Sequence, residues 1–188
     1  GGGTFDVALV KIHEGEMKVI DHEGDNFLGG SDFDPLIVEK LVVPILEKKY
    51  GLKNLWAELT SEKRRKDLAL LVDKAEEVKK VLSAKTSARF EISERDRMED
   101  NNGDFIDEEI TISRSDFEGI IKEPIEKTTE MINRIITRNK LMKTDLQFIL
   151  MVGGSTYIPY VRKRVEELLQ FPINCEIDPT TAVGIGAA

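Results

Sequence analysis

Two stretches near opposite ends of the chain set glycine pairs beside hydroxyl residues. One is Gly1-Gly2-Gly3-Thr4-Phe5-Asp6; the other follows the apolar run Phe148-Ile149-Leu150-Met151-Val152 as Gly153-Gly154-Ser155-Thr156. Glycine has no Cβ, so successive backbone N–H groups can converge on an anion, and the adjacent hydroxyl adds a donor. Two such turns suit the two ends of one extended, phosphate-bearing ligand. Taken singly, each is more readily an ordinary tight turn. The chain has no G-x-x-x-x-G-K-[ST] and no G-x-G-x-x-G between strand and helix. This excludes a P-loop and leaves a Rossmann site unsupported.

A second constellation is Glu76, Lys79, Lys80 and Ser83, spaced i, i+3, i+4 and i+7. On a helix these share one face. A carboxylate for ribose hydroxyls, two cationic stems for a base and a hydroxyl for a base edge would form a nucleoside wall. Alone, the face is more simply a surface pair, Glu76 with Lys80, worth roughly 0.2–0.5 kcal/mol.

The elements that must hold these groups follow from periodicity. Phe5, Val7 and Leu9 alternate along a strand from Thr4 to Ile12; His13-Glu14-Gly15-Glu16 turns the chain, and Met17–Ile20 returns. A third short strand, Asn26-Phe27-Leu28, is expected to end at Gly29-Gly30. Ser31 or Asp32 then caps a helix carrying Ile37, Leu41 and Ile45, kinked at Pro44 and closed by Gly51. Thr60 to Ser83 reads as a helix with Leu68, Leu71, Val72, Ala75, Val78 and Leu82 on one stripe. Arg89–Ile92 and Glu109–Ile112 read as a hairpin around the solvated loop Glu99–Asp104. Ser115 and Glu118 form a capping box for a long helix that contains Pro124. A strand Gln147–Val152, a helix from about Pro159 to Leu169, a strand Asn174–Ile177 and a helix from Asp178 or Pro179 complete the order. A three-strand meander followed by αβαβα is the ribonuclease-H-like layout, with roughly Gly29 to Gly119 inserted.

Composition narrows the function classes. The 188 residues carry a net charge of −8. The one concentrated basic run, Lys63-Arg64-Arg65-Lys66, reads as a solvated helix start rather than a nucleic-acid face. An acidic protein that binds a nucleotide must rely on local amides and a metal. The single cysteine, Cys175, excludes an intramolecular disulfide, reads as a buried thiol and suits a reducing, cytoplasmic setting. His13 and His22 show no ligand spacing and read as surface residues. No apolar run reaches the ~18–20 residues of a membrane span. Both ends interrupt patterns, so the chain reads as a fragment.

Taken together, these motifs resemble the seventy-kilodalton heat-shock chaperones, the DnaK group, and specifically the second lobe of their ATPase domain. The resemblance is carried by Gly1–Asp6, Leu28-Gly29-Gly30-Ser31-Asp32-Phe33-Asp34, Glu76–Ser83, Met151–Pro159 and Asp178–Ala188, in family order over the whole chain. It implies an α/β, actin-like ATPase (ribonuclease-H-like) lobe with an inserted α/β subdomain: residues 1–28 and 120–188 as core, 29–119 as the insertion covering the nucleotide. By the same resemblance, Gly2, Gly3 and Thr4 would contact the β/γ-phosphates of ATP or ADP, with Gly29 and Gly30 at the nucleotide. Asp6 would stand near Mg2+, through water. Glu76, Lys79, Lys80 and Ser83 would line ribose and adenine, and Gly153, Gly154, Ser155 and Tyr157 would close the other side. The family often has arginine where Lys80 and Tyr157 stand, an acidic residue where Ser31 stands, and Asp-Glu where Thr180-Thr181 stand.

The resemblance places the first phosphate hairpin, the catalytic lysine and further metal carboxylates in a preceding lobe, so no complete catalytic set is expected here. Its implied partners are that first lobe, a C-terminal peptide-binding domain, a nucleotide-exchange factor on the insertion and a J-domain co-chaperone near the opening meander. No nucleic acid or membrane is implied. Two alternatives share the scaffold: a non-hydrolysing interaction module, suggested by Lys80, Tyr157, Ser31 and Thr180, and a sugar or acetate kinase, disfavoured by the Glu76–Ser83 wording.

Overall fold

The computed structural model describes residues 2–170 and 173, a mixed α/β structure that divides into two compact units. The first comprises Gly1–Asp32 and Lys122–Ala188, the second Phe33–Ile121. The expected strand Asn174–Ile177, the helix from Asp178 or Pro179, and Cys175 lie outside the described residues.

The first unit opens with β1 (Phe5–His13) and β2 (Glu16–Asp25), an antiparallel hairpin. Glu14 and Gly15, at φ 52° and φ 83°, make the two-residue turn between them. Both central residues are left-handed, the geometry that matches strand twist. The register runs from Phe5 opposite Asp25 to His13 opposite Glu16 and shifts between Leu9 and Val10, where Ile20 is the extra residue. Phe5 and Val7 pack against a cluster of Ile132, Val165 and Leu169. Those residues lie on α5 (Arg114–Arg138) and α6 (Pro159–Leu169), the second opened by a proline in its first turn as expected. Arg134 and Arg138, one turn apart on α5, bind Glu23 and Asp21 of β2, and Asn139 donates to Asp21 as well. His13 and His22 are exposed.

Two expected strands of this unit are not continuous strands among the described residues. Asn26-Phe27-Leu28 is a turn, because the Phe27 N–H is taken by the Asp25 carboxylate at 2.8 Å and the chain bends there. An aspartate that bonds backbone two residues on mimics a turn of the chain itself. β2 is correspondingly longer than the segment Met17–Ile20. Within Gln147–Val152 the described residues show no continuous strand, only a single β-bridge position at Leu150.

The second unit is built on α4 (Arg65–Ala84) packed against β3 (Ser87–Ile92), which pairs with β4 (Glu108–Ser113). Leu71, Ala75, Val78 and Leu82 form the buried stripe of α4, and Ala88, Phe90 and Ile92 alternate inward on β3. The expected helix from Thr60 is broken. α3 (Leu55–Leu59) ends where the Thr60 and Ser61 hydroxyls bond back to Trp56, Ala57 and Glu58 carbonyls, and α4 starts only at Arg65. In the basic run, Lys63, Arg65 and Lys66 are exposed, whereas Arg64 binds Asp67 and the Glu99 carbonyl.

α1 (Gly30–Ile37) passes into a π-helical turn, Val38–Val42, and then α2 (Val43–Tyr50), closed by Gly51 at φ 64°. Pro44 has no N–H for the Lys40 carbonyl, and the preceding ladder widens so that the Val43 N–H reaches Val38. The widened turn shifts the helix phase. Val38, Val42, Val43 and Leu46 join Ile37 in the core, while Leu41 is half-buried and Ile45 exposed, contrary to the four-residue spacing read from sequence. The cap of α5 also moves: Ser113, not Ser115, accepts the Asp116 N–H at 3.1 Å and donates to its carboxylate at 2.5 Å.

Candidate functional site

The first glycine turn is held by the segment that opens α1. The Gly2 carbonyl accepts both the N–H and the hydroxyl of Ser31, each at 2.7 Å. Gly29 lies so close beneath it that a Cβ there would sit 2.6 Å from Gly2 O and from Gly3 C and Cα. Only glycine fits such an approach. Asp32 secures it: its carboxylate accepts the Gly29 N–H at 2.6 Å, while its own N–H donates to the Gly29 carbonyl at 3.2 Å. Of the two capping residues expected, Asp32 therefore reaches back to close the helix start, as in a capping box, and Ser31 is spent on the glycine turn.

The second turn begins at Gly153, with φ 97° and ψ 155°. Side-chain-bearing residues are strained in that region. Its carbonyl accepts the Thr156 N–H at 3.1 Å and the Thr156 hydroxyl at 2.7 Å. Among the described residues nothing lies within 4 Å of where a Cβ on Gly2 or Gly154 would project, which leaves the backbone open on that side at both turns. Tyr157 ends this 3₁₀ turn 39% exposed. The Arg162 guanidinium sits 5.7 Å from its ring centroid while donating to the Thr156 carbonyl at 2.5 Å. That separation is within reach of a cation–π contact.

One apolar cluster positions both turns. Phe5 and Val7 lead out of the first, Ile149 and Met151 lead into the second, and all four pack on Ile132, Val165 and Leu169. Both turns also belong to the first unit, although roughly 150 residues of chain lie between them.

The helical face lies in the second unit. Lys80 pairs with Glu77 at 2.7 Å and with Glu76 at 3.2 Å. Those bonds, Glu77 first, raise its pKa. Ser83 donates to the Lys79 carbonyl at 3.1 Å. Lys79 binds Asp34, a carboxylate only 4% exposed: the ammonium bonds Oδ2 at 2.8 Å and stands 2.7 Å from Oδ1, an ionic contact without hydrogen-bond geometry. Burial pushes the Asp34 carboxyl above its usual range, and the Lys79 bond works against that rise.

These observations bear on what the groups can hold. Open glycine backbone beside a strand suits phosphate oxygens; in the first unit the exposed Tyr157 ring offers a stacking surface, and in the second unit Glu76 and Lys80 present an exposed charged face. Asp6, exposed on β1 opposite Gly24, offers one carboxylate, and among the described residues no group of three or more metal-ligating side chains occurs. A magnesium ion that takes most of its ligands from phosphate and water fits that donor set; an all-protein cation cage does not. Sequence reasoning missed the roles of Asp34, Arg162 and Thr156. Asp34 stands three residues after Ser31, in S-x-x-D spacing, but its partner in the structure is Lys79, 45 residues along the chain.

The class of protein is set by comparison along the entire chain. The family model described as "Hsp70 protein" matches residues 1–188, and the chain belongs to the Hsp70 family. Among its relatives, the "Chaperone protein DnaK" of Mycoplasma mobile is 34% identical over 189 residues, covering 100% of this chain and 30% of that protein. The "Mitochondrial-type heat shock protein 70" of Encephalitozoon hellem is 34% identical over 188 residues with the same coverage. The DnaK of Thermotoga petrophila is likewise 34% identical, again with 30% of its length covered. The chain thus spans about a third of the length of the curated relatives it matches.

Proposed function

We propose that this chain is a nucleotide-gripping lobe of a DnaK-type chaperone. In this reading the amides of Gly2, Gly3 and Thr4 hold the β- and γ-phosphates of ATP or ADP, and Gly153, Gly154 and Ser155 bracket the ligand from the second turn. Asp6 orients water on Mg2+, which neutralises phosphate charge when bound. Glu76, Lys79, Lys80 and Ser83 face ribose and adenine, with Gly29 and Gly30 supporting the phosphate turn and Tyr157 at the base. The observation that carries the proposal is the common apolar cluster beneath two open glycine turns that sequence alone leaves far apart. Phosphoryl transfer needs positioning and charge neutralisation from both sides of the phosphate. Hydrolysis therefore belongs to a protein that also contains a first lobe. There it would set the affinity of a peptide-binding domain, with a nucleotide-exchange factor and a J-domain co-chaperone as partners in a cytoplasmic setting.

Calorimetric titration of the chain with Mg·ADP tests the binding step, and a phosphate-release assay tests the division of labour. Saturable binding with no ATP turnover above buffer is expected. Turnover that survives repurification would show that this chain holds the missing groups. A second reading, a non-hydrolysing interaction module, is favoured by one observation: the Lys80 ammonium is already occupied by Glu76 and Glu77. Absence of any Mg·ADP binding would favour it.

A further inference from the structure

The two glycine turns share a device. In each, the carbonyl of the leading glycine accepts both the backbone N–H and the side-chain hydroxyl of one residue: Ser31 on Gly2, Thr156 on Gly153. A trans peptide directs its C=O and its N–H to opposite sides. Fixing the Gly2 carbonyl toward Ser31 therefore fixes the Gly3 N–H away from it, and fixing the Gly153 carbonyl toward Thr156 does the same for the Gly154 N–H. The carbonyls, which would repel an anion, are turned away and consumed. Glycine peptides are otherwise the easiest to flip, so orientation is what such a turn lacks. The two clamps differ in origin: Ser31 comes from a separate element 29 residues along the chain, whereas Thr156 is three residues from its glycine and buried.

We propose that Ser31 and Thr156 are positioning residues that orient the Gly3 and Gly154 amides as a matched pair of donors to the two ends of one polyphosphate. The proposal rests on the nucleotide reading above and adds to it which two amides point at the ligand and what aims them. Neither hydroxyl touches the ligand; each acts through a glycine carbonyl.

The test is a 15N–1H NMR titration of the labelled chain with Mg·ADP, following the Gly3 and Gly154 amides in wild type, Ser31→Ala, Ser31→Thr, Thr156→Val and Thr156→Ser. Wild-type chain should show both amides shifting with one saturation curve. Ser31→Ala should weaken affinity about threefold to tenfold, the scale of one lost hydrogen bond, and should reduce the shift at Gly3 most. Thr156→Val, which keeps the side-chain volume, should do the same at Gly154. The hydroxyl-retaining Ser31→Thr and Thr156→Ser should stay within about twofold of wild type, as a packing role would not require. Wild-type affinity and undiminished amide shifts in both Ser31→Ala and Thr156→Val would overturn the proposal while leaving the nucleotide reading intact. Absence of any shift at either amide in the wild-type chain would overturn both.

Discussion

Replacing Lys79 by methionine keeps most of the side chain's apolar stem and removes the ammonium from Asp34. The two charges stand 2.7 Å and 2.8 Å apart at the two carboxylate oxygens, and Asp34 is 4% exposed. At an effective dielectric near 20 their attraction is about 6 kcal/mol, against a desolvation penalty of several kcal/mol per ion. The intact pair is therefore close to neutral for stability, but removing one partner strands the other, at a cost of about 3–5 kcal/mol. Urea unfolding at pH 7 should show this loss in Lys79→Met, and Asp34→Asn with Lys79→Met together should cost clearly less than the sum of the two single changes. The pH dependence gives a second signature. Burial already raises the Asp34 pKa above 3.8, and removing Lys79 takes away the contribution that lowers it. The folded state of the variant then binds this proton more tightly than the unfolded chain does. That contribution is complete below the unfolded pKa and is lost as pH rises through the folded one. Lys79→Met should thus regain stability on acidification from pH 7 toward pH 4 relative to wild type. A loss below about 1 kcal/mol with no change in pH profile would refute the reasoning and return Lys79 to the surface.

Gly29→Ala places a Cβ 2.6 Å from three backbone atoms of Gly2 and Gly3. Overpacking of about 1–3 kcal/mol and weakened Mg·ADP binding are expected, measured by urea unfolding and calorimetry. Tyr157→Ala should weaken Mg·ADP binding by about 1–3 kcal/mol if the exposed ring stacks on the base, whereas Tyr157→Phe should cost little; unchanged affinity in folded Tyr157→Ala protein would remove the ring from the site. Asp21 is held down to a pKa of about 2, first by the Arg138 bond and then by Asn139. Its contribution is present above the unfolded value of 3.8 and lost as pH falls toward 2, so urea midpoints should drop less steeply over that range in Asp21→Asn than in wild type.

Periodicity carried much of the local structure. The alternation of Phe5 and Val7, the stripe Leu71–Leu82 and the helix Pro159–Leu169 were legible because each turns one regularly spaced apolar face into a core. Three of the failures share a cause in side chains that bind backbone. Asp25 turned an expected strand into a bend, and Thr60 and Ser61 ended one helix where another was expected to begin. Ser113 took a cap assigned to Ser115. The π-helical turn before Pro44 moved Leu41 and Ile45 out of the core, since a pattern counted at the α-helical repeat cannot register a widened turn. At the candidate site the glycine words were legible, but their supports were not. Ser31 reaches Gly2 across 29 residues and Asp34 meets Lys79 across 45, separations that no local spacing encodes.

A carbonyl oxygen that accepts two hydrogen bonds draws electron density out of its own amide. The Gly2–Gly3 and Gly153–Gly154 peptides are therefore more polarised than their neighbours, and the protons on Gly3 and Gly154 are the more acidic for it. Cooperative strengthening of this kind amounts to about 10–30% per bond in condensed phase. The same two clamps that aim these protons thus also make them better donors before any ligand arrives. In the free chain this electronic bias should surface as hydroxide-catalysed exchange at Gly3 and Gly154 that outpaces what their solvent access alone would set.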